Sequence, residues 1–174
     1  LNILTAFKDH SDIQLKADFE IWESEIRVFF EWMESDQKFS DSFQSKNYSG
    51  SQLQRKDNLW QTTCFEAFWS VPGSKQYFEL NFSAQGEWNV YQFNDYRQPQ
   101  PPKPSHQYTV SRIIVGKNNI ECQLQAGVSF THLDVGLTAI ITTAKDKLYF
   151  ALSHKSEKAD FHIRNSFNLT KEIR

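Results

Sequence analysis

The sequence predicts a single all-β domain, a two-sheet antiparallel sandwich of the immunoglobulin-like or jelly-roll type. Three observations predict it. Runs of about six to ten residues rich in Phe, Tyr, Trp, Val and Ile recur along the chain, each closed by a short cluster of Gly, Asn, Asp or Ser. Where alternation is clean it has period two, as in Ile26, Val28, Phe30 and Trp32. No long segment carries a 3.6-residue period.

The elements follow in order. Residues 16–22 and 25–33 flank Glu23-Ser24, and 61–71 and 76–83 flank a Pro-Gly-Ser-Lys turn at 72–75. Ala84-Gln85-Gly86 leads into 87–93, 107–115 and 119–126 flank 116–118, and 135–143 and 147–153 flank 144–146. Such hairpin units imply antiparallel pairing. Two stretches break the pattern. Residues 34–58 are polar, an insertion that either holds a short strand or helical turn anchored by Phe39 and Phe43 or forms a flap. Residues 94–105 carry four of the five prolines and read as an extended connection outside the ladders.

Composition narrows the function classes. The chain has 174 residues, 39% hydrophobic and 23% charged, which suits one globular domain. Its aromatic share is 15%, and rings serve both half-buried strands and ligand platforms. The net charge is −2 with Lys and Arg scattered, so no basic stripe offers itself to nucleic acid. No membrane-length apolar run is present, and residues 1–10 do not resemble a signal peptide, which predicts a cytoplasmic location, although the sequence does not begin with Met. The oligomeric state is not legible.

Cys64 and Cys122 lie in apolar runs far apart and read as buried free thiols, with a sheet-to-sheet disulfide as the alternative. Among His10, His106, His132, His154 and His162 there is no i,i+2 or i,i+4 pair, so no metal site is expected. His154 and His162 bracket Asp160 and could converge around a bend. No cofactor is expected. The one Met, Met33, has no evident His partner for haem, and structural calcium has no ligand pattern.

The outer face of one hairpin is the main candidate. If Phe65, Ala67, Trp69 and Val71 face the core, then Cys64, Glu66 and Phe68 face away. Across the turn Phe78, Leu80 and Phe82 face the core, leaving Tyr77, Glu79 and Asn81 with Glu66. Carboxylates and an amide framed by rings suit sugar hydroxyls, and the same pattern also describes a solvated strand face. Trp60 and Trp88 stand at strand ends, either as platforms or as core caps, whereas Trp22, Trp32 and Trp69 read as packing residues. Arg97 can bind a ligand oxygen or pair with one of the glutamates, and the glutamate pair is the structural expectation.

Residues 57–68, the run Tyr77-Phe78-Glu79-Leu80-Asn81-Phe82-Ser83-Ala84-Gln85-Gly86-Glu87-Trp88, and Tyr91-Gln92-Phe93-Asn94-Asp95-Tyr96-Arg97 together resemble bacterial DOMON-like proteins, which are similar to family 9 carbohydrate-binding modules. Leu152-Ser153-His154, Asp160-Phe161-His162 and Ser166-Phe167 agree with the C-terminal pattern of that family. The resemblance implies a β-sandwich with a ligand pocket on one face, a small-molecule or oligosaccharide ligand, and no catalytic mechanism. The resulting expectation is a non-catalytic carbohydrate-binding module whose site is Trp60, Glu66, Glu79, Asn81, Trp88 and Arg97. A protein-interaction domain, a haem domain and a glycosidase are the alternatives.

Overall fold

The computed structural model describes residues 1–8, 12–35, 38–127 and 131–173. Among them lie the strands β1 (Asn2–Ala6), β2 (Gln14–Trp22), β3 (Glu25–Met33), β4 (Lys46–Ser49), β5 (Gln54–Arg55), β6 (Cys64–Ser70) and β7 (Tyr77–Phe82). There follow β8 (Glu87–Phe93), β9 (Lys103–Pro104), β10 (Tyr108–Val115), β11 (Asn119–Ala126), β12 (His132–Thr142), β13 (Lys147–Ala151) and β14 (Leu169–Glu172). Among the described residues the only helical structure is four single 3-10 turns, so no helix is long and apolar enough to cross a membrane. His10 lies outside the described residues.

The strands form one large, unclosed path in the order β4-β10-β11-β3-β2-β1-β13-β12-β6-β7-β8-β5, with β14 added to β12 and β9 to β8. Pairing is antiparallel except for a two-residue parallel contact of β5 with β8. The all-β antiparallel expectation is met. The strand β1 belongs to both halves of the path: Asn2 to Leu4 pair with β2, and Thr5 and Ala6 pair with β13. Rings from the two halves meet in one core. Phe30 of β3 lies 5.1 Å from Phe65 of β6, and Phe19 of β2 lies 6.0 Å from Trp69 of β6. Residues of β2, β3 and β11 alternate between buried and half-buried or exposed, and β10 does so apart from a bulge between Val110 and Arg112, as strands with one wet face do.

The polar stretch after β3 is not a structureless loop. Phe39 and Phe43 pack on Trp32 at 5.2 and 4.7 Å, β4 adds to β10, and β5 adds to β8. Tyr48 of β4 also braces the β7–β8 turn. Its hydroxyl donates to the Ala84 carbonyl at 3.0 Å, and its ring lies only 2.5 Å from where a Cβ on Gly86 would stand. With φ at +79° as well, that turn requires glycine. The proline-rich connection contributes one short ladder, since β9 pairs with β8. Cys64 and Cys122 are buried free thiols. Val71 departs from its expected core position: it lies past the end of β6 and is 51% exposed.

Candidate functional site

Strand register builds the site. Along β12, β6, β7 and β8, Thr138, Glu66, Asn81 and Asn89 form one cross-strand row. Gly136, Phe68, Glu79 and Tyr91 form the next. Cross-strand partners share a face, so Glu66 and Glu79 are diagonal neighbours on the face turned away from the main core. Phe65, Ala67, Trp69, Phe78, Leu80 and Phe82 occupy the core side, as alternation predicts.

That outer face is not solvated. Every residue of β6 and β7 is buried, and Glu66, Glu79 and Asn81 are 2%, 5% and 0% exposed. Two-sided burial in antiparallel strands needs a cover, and the segment after β13 supplies it. Phe161 and Phe167 join Phe68, Tyr77, Tyr91 and Phe93 in a second apolar cluster. Phe167 sits over Gly136, where a Cβ would come within 3.0 Å of its ring. The glycine in the second row therefore gives the tail its seat.

Between this cover, the Leu59–Gln61 turn and the 94–105 connection lies a cavity of about 350 Å3. Glu66 and Glu79 line it together with His162, Arg97 and Gln100, and Trp60, Phe93, Tyr149 and Phe161 provide the ring surfaces. The Trp60 ring is set edge-on to Tyr91 at 5.9 Å. This is the usual composition of a small-molecule site, with apolar walls and a few convergent polar groups.

The polar groups are held by specific partners. The Thr138 hydroxyl donates to Glu66 Oε2 at 2.9 Å, and Asn81 Nδ2 donates to Glu79 Oε1 at 2.8 Å. Asn81 Oδ1 is buried and has no hydrogen-bond partner. Burial pushes the Glu66 carboxyl well above the usual range, and the neighbouring Glu79 charge pushes it further. Burial raises Glu79 too, against the opposing pull of Asn81 and Arg97. Two carboxyls placed so close titrate as a pair.

A hydrogen-bond chain fixes His162. The Arg97 amide donates to the Tyr77 hydroxyl at 3.1 Å, and that hydroxyl lies 2.8 Å from His162 Nδ1. The other ring nitrogen, Nε2, lies 3.7 Å from Glu79 Oε2. Burial, assisted by the Arg97 charge, lowers the imidazole to about 3, so it is neutral near pH 7. Arg97 itself has φ at +52°, a left-handed conformation that non-glycine residues hold only under constraint.

Arg97 does not pair with a glutamate. Its Nη2 bonds Asp160 Oδ1 at 3.0 Å, and Tyr96 and the His162 amide bond the same carboxylate. Against the cost of burial, these contacts hold Asp160 below its ordinary range. Trp88 does not join the cluster. It pairs with Phe82, faces the main core, and carries the Arg55 guanidinium 4.1 Å from its ring. Trp60 lines the cavity, as do Glu66, Glu79 and Arg97, and Asn81 acts through Glu79. His154 and His162 do not converge: His154 Nε2 bonds the Thr5 carbonyl at 2.9 Å, on the β1 side.

Sequence reasoning missed His162, Tyr77 and Asp160 as parts of the site. The Asp160-Phe161-His162 segment was visible as a pattern, yet nothing local ties it to β7. Among the described residues no group of three or more His, Cys, Asp or Glu side chains is placed to hold a metal ion, and Met33 is 55% exposed. A second cavity, of about 370 Å3, lies by Arg55, Asp57 and Asn89, but Arg55 is committed to Asn89 and to the Ser105 and Tyr108 carbonyls.

No family model matches the chain, and no curated protein matches it. Among solved structures, the chain is similar to a protein of Bacteroides uniformis bearing the description "putative carbohydrate-binding protein". The TM-score is 0.66 at 10% identity, over 99% of this chain and 84% of the other. At that identity the likeness shows a shared fold.

Proposed function

We propose that this chain is a non-catalytic carbohydrate-binding module with the DOMON-like, family 9-like two-sheet sandwich that the sequence resembles. The cavity over Glu66 and Glu79 is its binding site. One observation carries the reading: carboxyls, an imidazole and a guanidinium converge in a cavity that four aromatic side chains also line, beside Pro102, Ile140 and Ala159. Ring faces cover the apolar faces of a pyranose while the polar groups take its hydroxyls. The fold shared with the Bacteroides uniformis protein, and that protein's description, agree with it.

A glycan array probed with the wild-type protein and with Trp60→Ala tests the reading. The wild type is expected to retain a defined set of glycans. Trp60→Ala is expected to bind them about ten- to a hundred-fold more weakly, the worth of a stacking platform of roughly 1.5–3 kcal/mol. Uniform silence of the array, or equal binding by Trp60→Ala, contradicts it.

A glycosidase is the second reading, because two buried carboxyls share one cavity and burial raises both, so that one can hold a proton near neutral pH while the other ionises. Turnover of chromogenic glycosides by the wild type, lost in Glu66→Gln, would establish that reading in place of the first.

A further inference from the structure

Resting on the carbohydrate reading of the same cavity, we propose that its ligand is an amino sugar. A hexosamine with a free, protonated amino group would be taken in preference to neutral hexoses and against sugar acids.

The first argument is the balance of charge. Glu66 and Glu79 both line the cavity, and the one cation lining it among the described residues, Arg97, is already bonded to Asp160. The other titratable groups facing the pair add no positive charge. Cys64, Tyr77 and Tyr91 are held in their neutral forms by burial, and His162 is neutral. If both glutamates ionise, the site lacks a counter-charge, and a ligand ammonium supplies it.

The second argument is the balance of donors and acceptors. Thr138 bonds Oε2 of Glu66, Asn81 bonds Oε1 of Glu79, and the Cys64 thiol also bonds Glu66. Once ionised, the pair keeps acceptor positions to spare, and an ammonium brings three donors and no acceptor. The third argument comes from the walls. Trp60, Phe93, Tyr149 and Phe161 line it with aromatic rings, and a ring face turned to a ligand favours a cation and disfavours an anion through its negative quadrupole. A uronate carboxylate would meet two acids and four rings.

The test titrates D-glucosamine, D-galactosamine and D-mannosamine into the protein near neutral pH, each beside its parent hexose, its N-acetyl derivative and its uronic acid. At least one hexosamine is expected to bind about ten- to a hundred-fold more tightly than its parent, the worth of a hydrogen bond to a charged group. N-acetylation should remove that advantage. Binding should release protons from the glutamate pair, seen as a heat that depends on the buffer's ionisation enthalpy. The Glu66→Gln, Glu79→Gln double variant, which keeps size and loses charge, should no longer prefer the amine. A parent hexose or N-acetyl sugar that binds as tightly as the hexosamine overturns the proposal and leaves the carbohydrate reading standing. If no sugar of any class binds, both fall.

Discussion

Raising the pH from about 6 to about 9 is expected to lower the melting temperature by on the order of 10 °C, and the Glu66→Gln, Glu79→Gln double variant is expected to remove most of that loss. Both carboxyls are held above their ordinary values in the folded protein, by burial and, at Glu66, by the charge of Glu79. Between the unfolded and folded values the native state keeps protons that the unfolded chain has released, so stability falls as pH rises through that window. Each unit of raised pKa is worth about 1.4 kcal/mol, and each kcal/mol moves Tm by about 2–4 °C in a domain of this size. The double amide variant cannot ionise there, so its alkaline limb should be nearly flat. Thermal melts across the pH range decide it: parallel profiles for the two proteins would mean that the pair does not titrate with folding.

The acid limb is expected to depend on His162. Its folded pKa is depressed to about 3 from 6.5 by burial, while the unfolded chain takes up a proton near its ordinary value. Stability is therefore present above about pH 6.5 and is lost progressively as pH falls toward about 3. Protonation of the Asp160 and Asp18 carboxylates, held low against the cost of burial chiefly by hydrogen bonds from Tyr96 and Lys171 respectively, adds to the same limb only further down. Replacing His162 with Gln should cost on the order of 2–4 kcal/mol at neutral pH, because the Tyr77 hydroxyl loses its ring-nitrogen partner and the ring contacts to Phe68 and Phe93 are lost. The same change should flatten the decline between about pH 6 and about pH 4. A His162→Gln profile that falls as steeply as the wild type over that interval contradicts the assignment.

What the sequence made legible follows from what is local. The hairpins were readable because turn residues and period-two alternation are short-range signals, and alternation also divided Phe65 from Glu66 and Phe78 from Glu79 correctly. It could not reveal that the Glu66 face is buried. The cover, Phe161 to Phe167, lies in a polar tail far along the chain, and Gly136, which seats Phe167, looks like any glycine. The partner of Arg97 was not legible, because Asp160 stands 63 residues away. A tryptophan at the start of a strand can face either side. For Trp88 the register opposite Phe82 decided it, and register is set by the β7–β8 turn at Gly86 rather than by the tryptophan. The choice between strand and flap in 34–58 stayed open because β4 and β5 are short, polar and at edges, where alternation has nothing to bury.

Affinity and melting temperature measured together, for the best array glycan with Glu79→Ala and Arg97→Ala, test most directly whether these residues form a ligand site. Each side chain removed from a charged hydrogen bond to ligand should weaken binding by about ten- to a hundred-fold, with the folded fraction otherwise intact at the assay temperature. If instead the variants lose melting temperature while the folded fraction binds the glycan as tightly as the wild type, the cluster only braces the sheet, and the cavity over Glu66 and Glu79 is not the binding site.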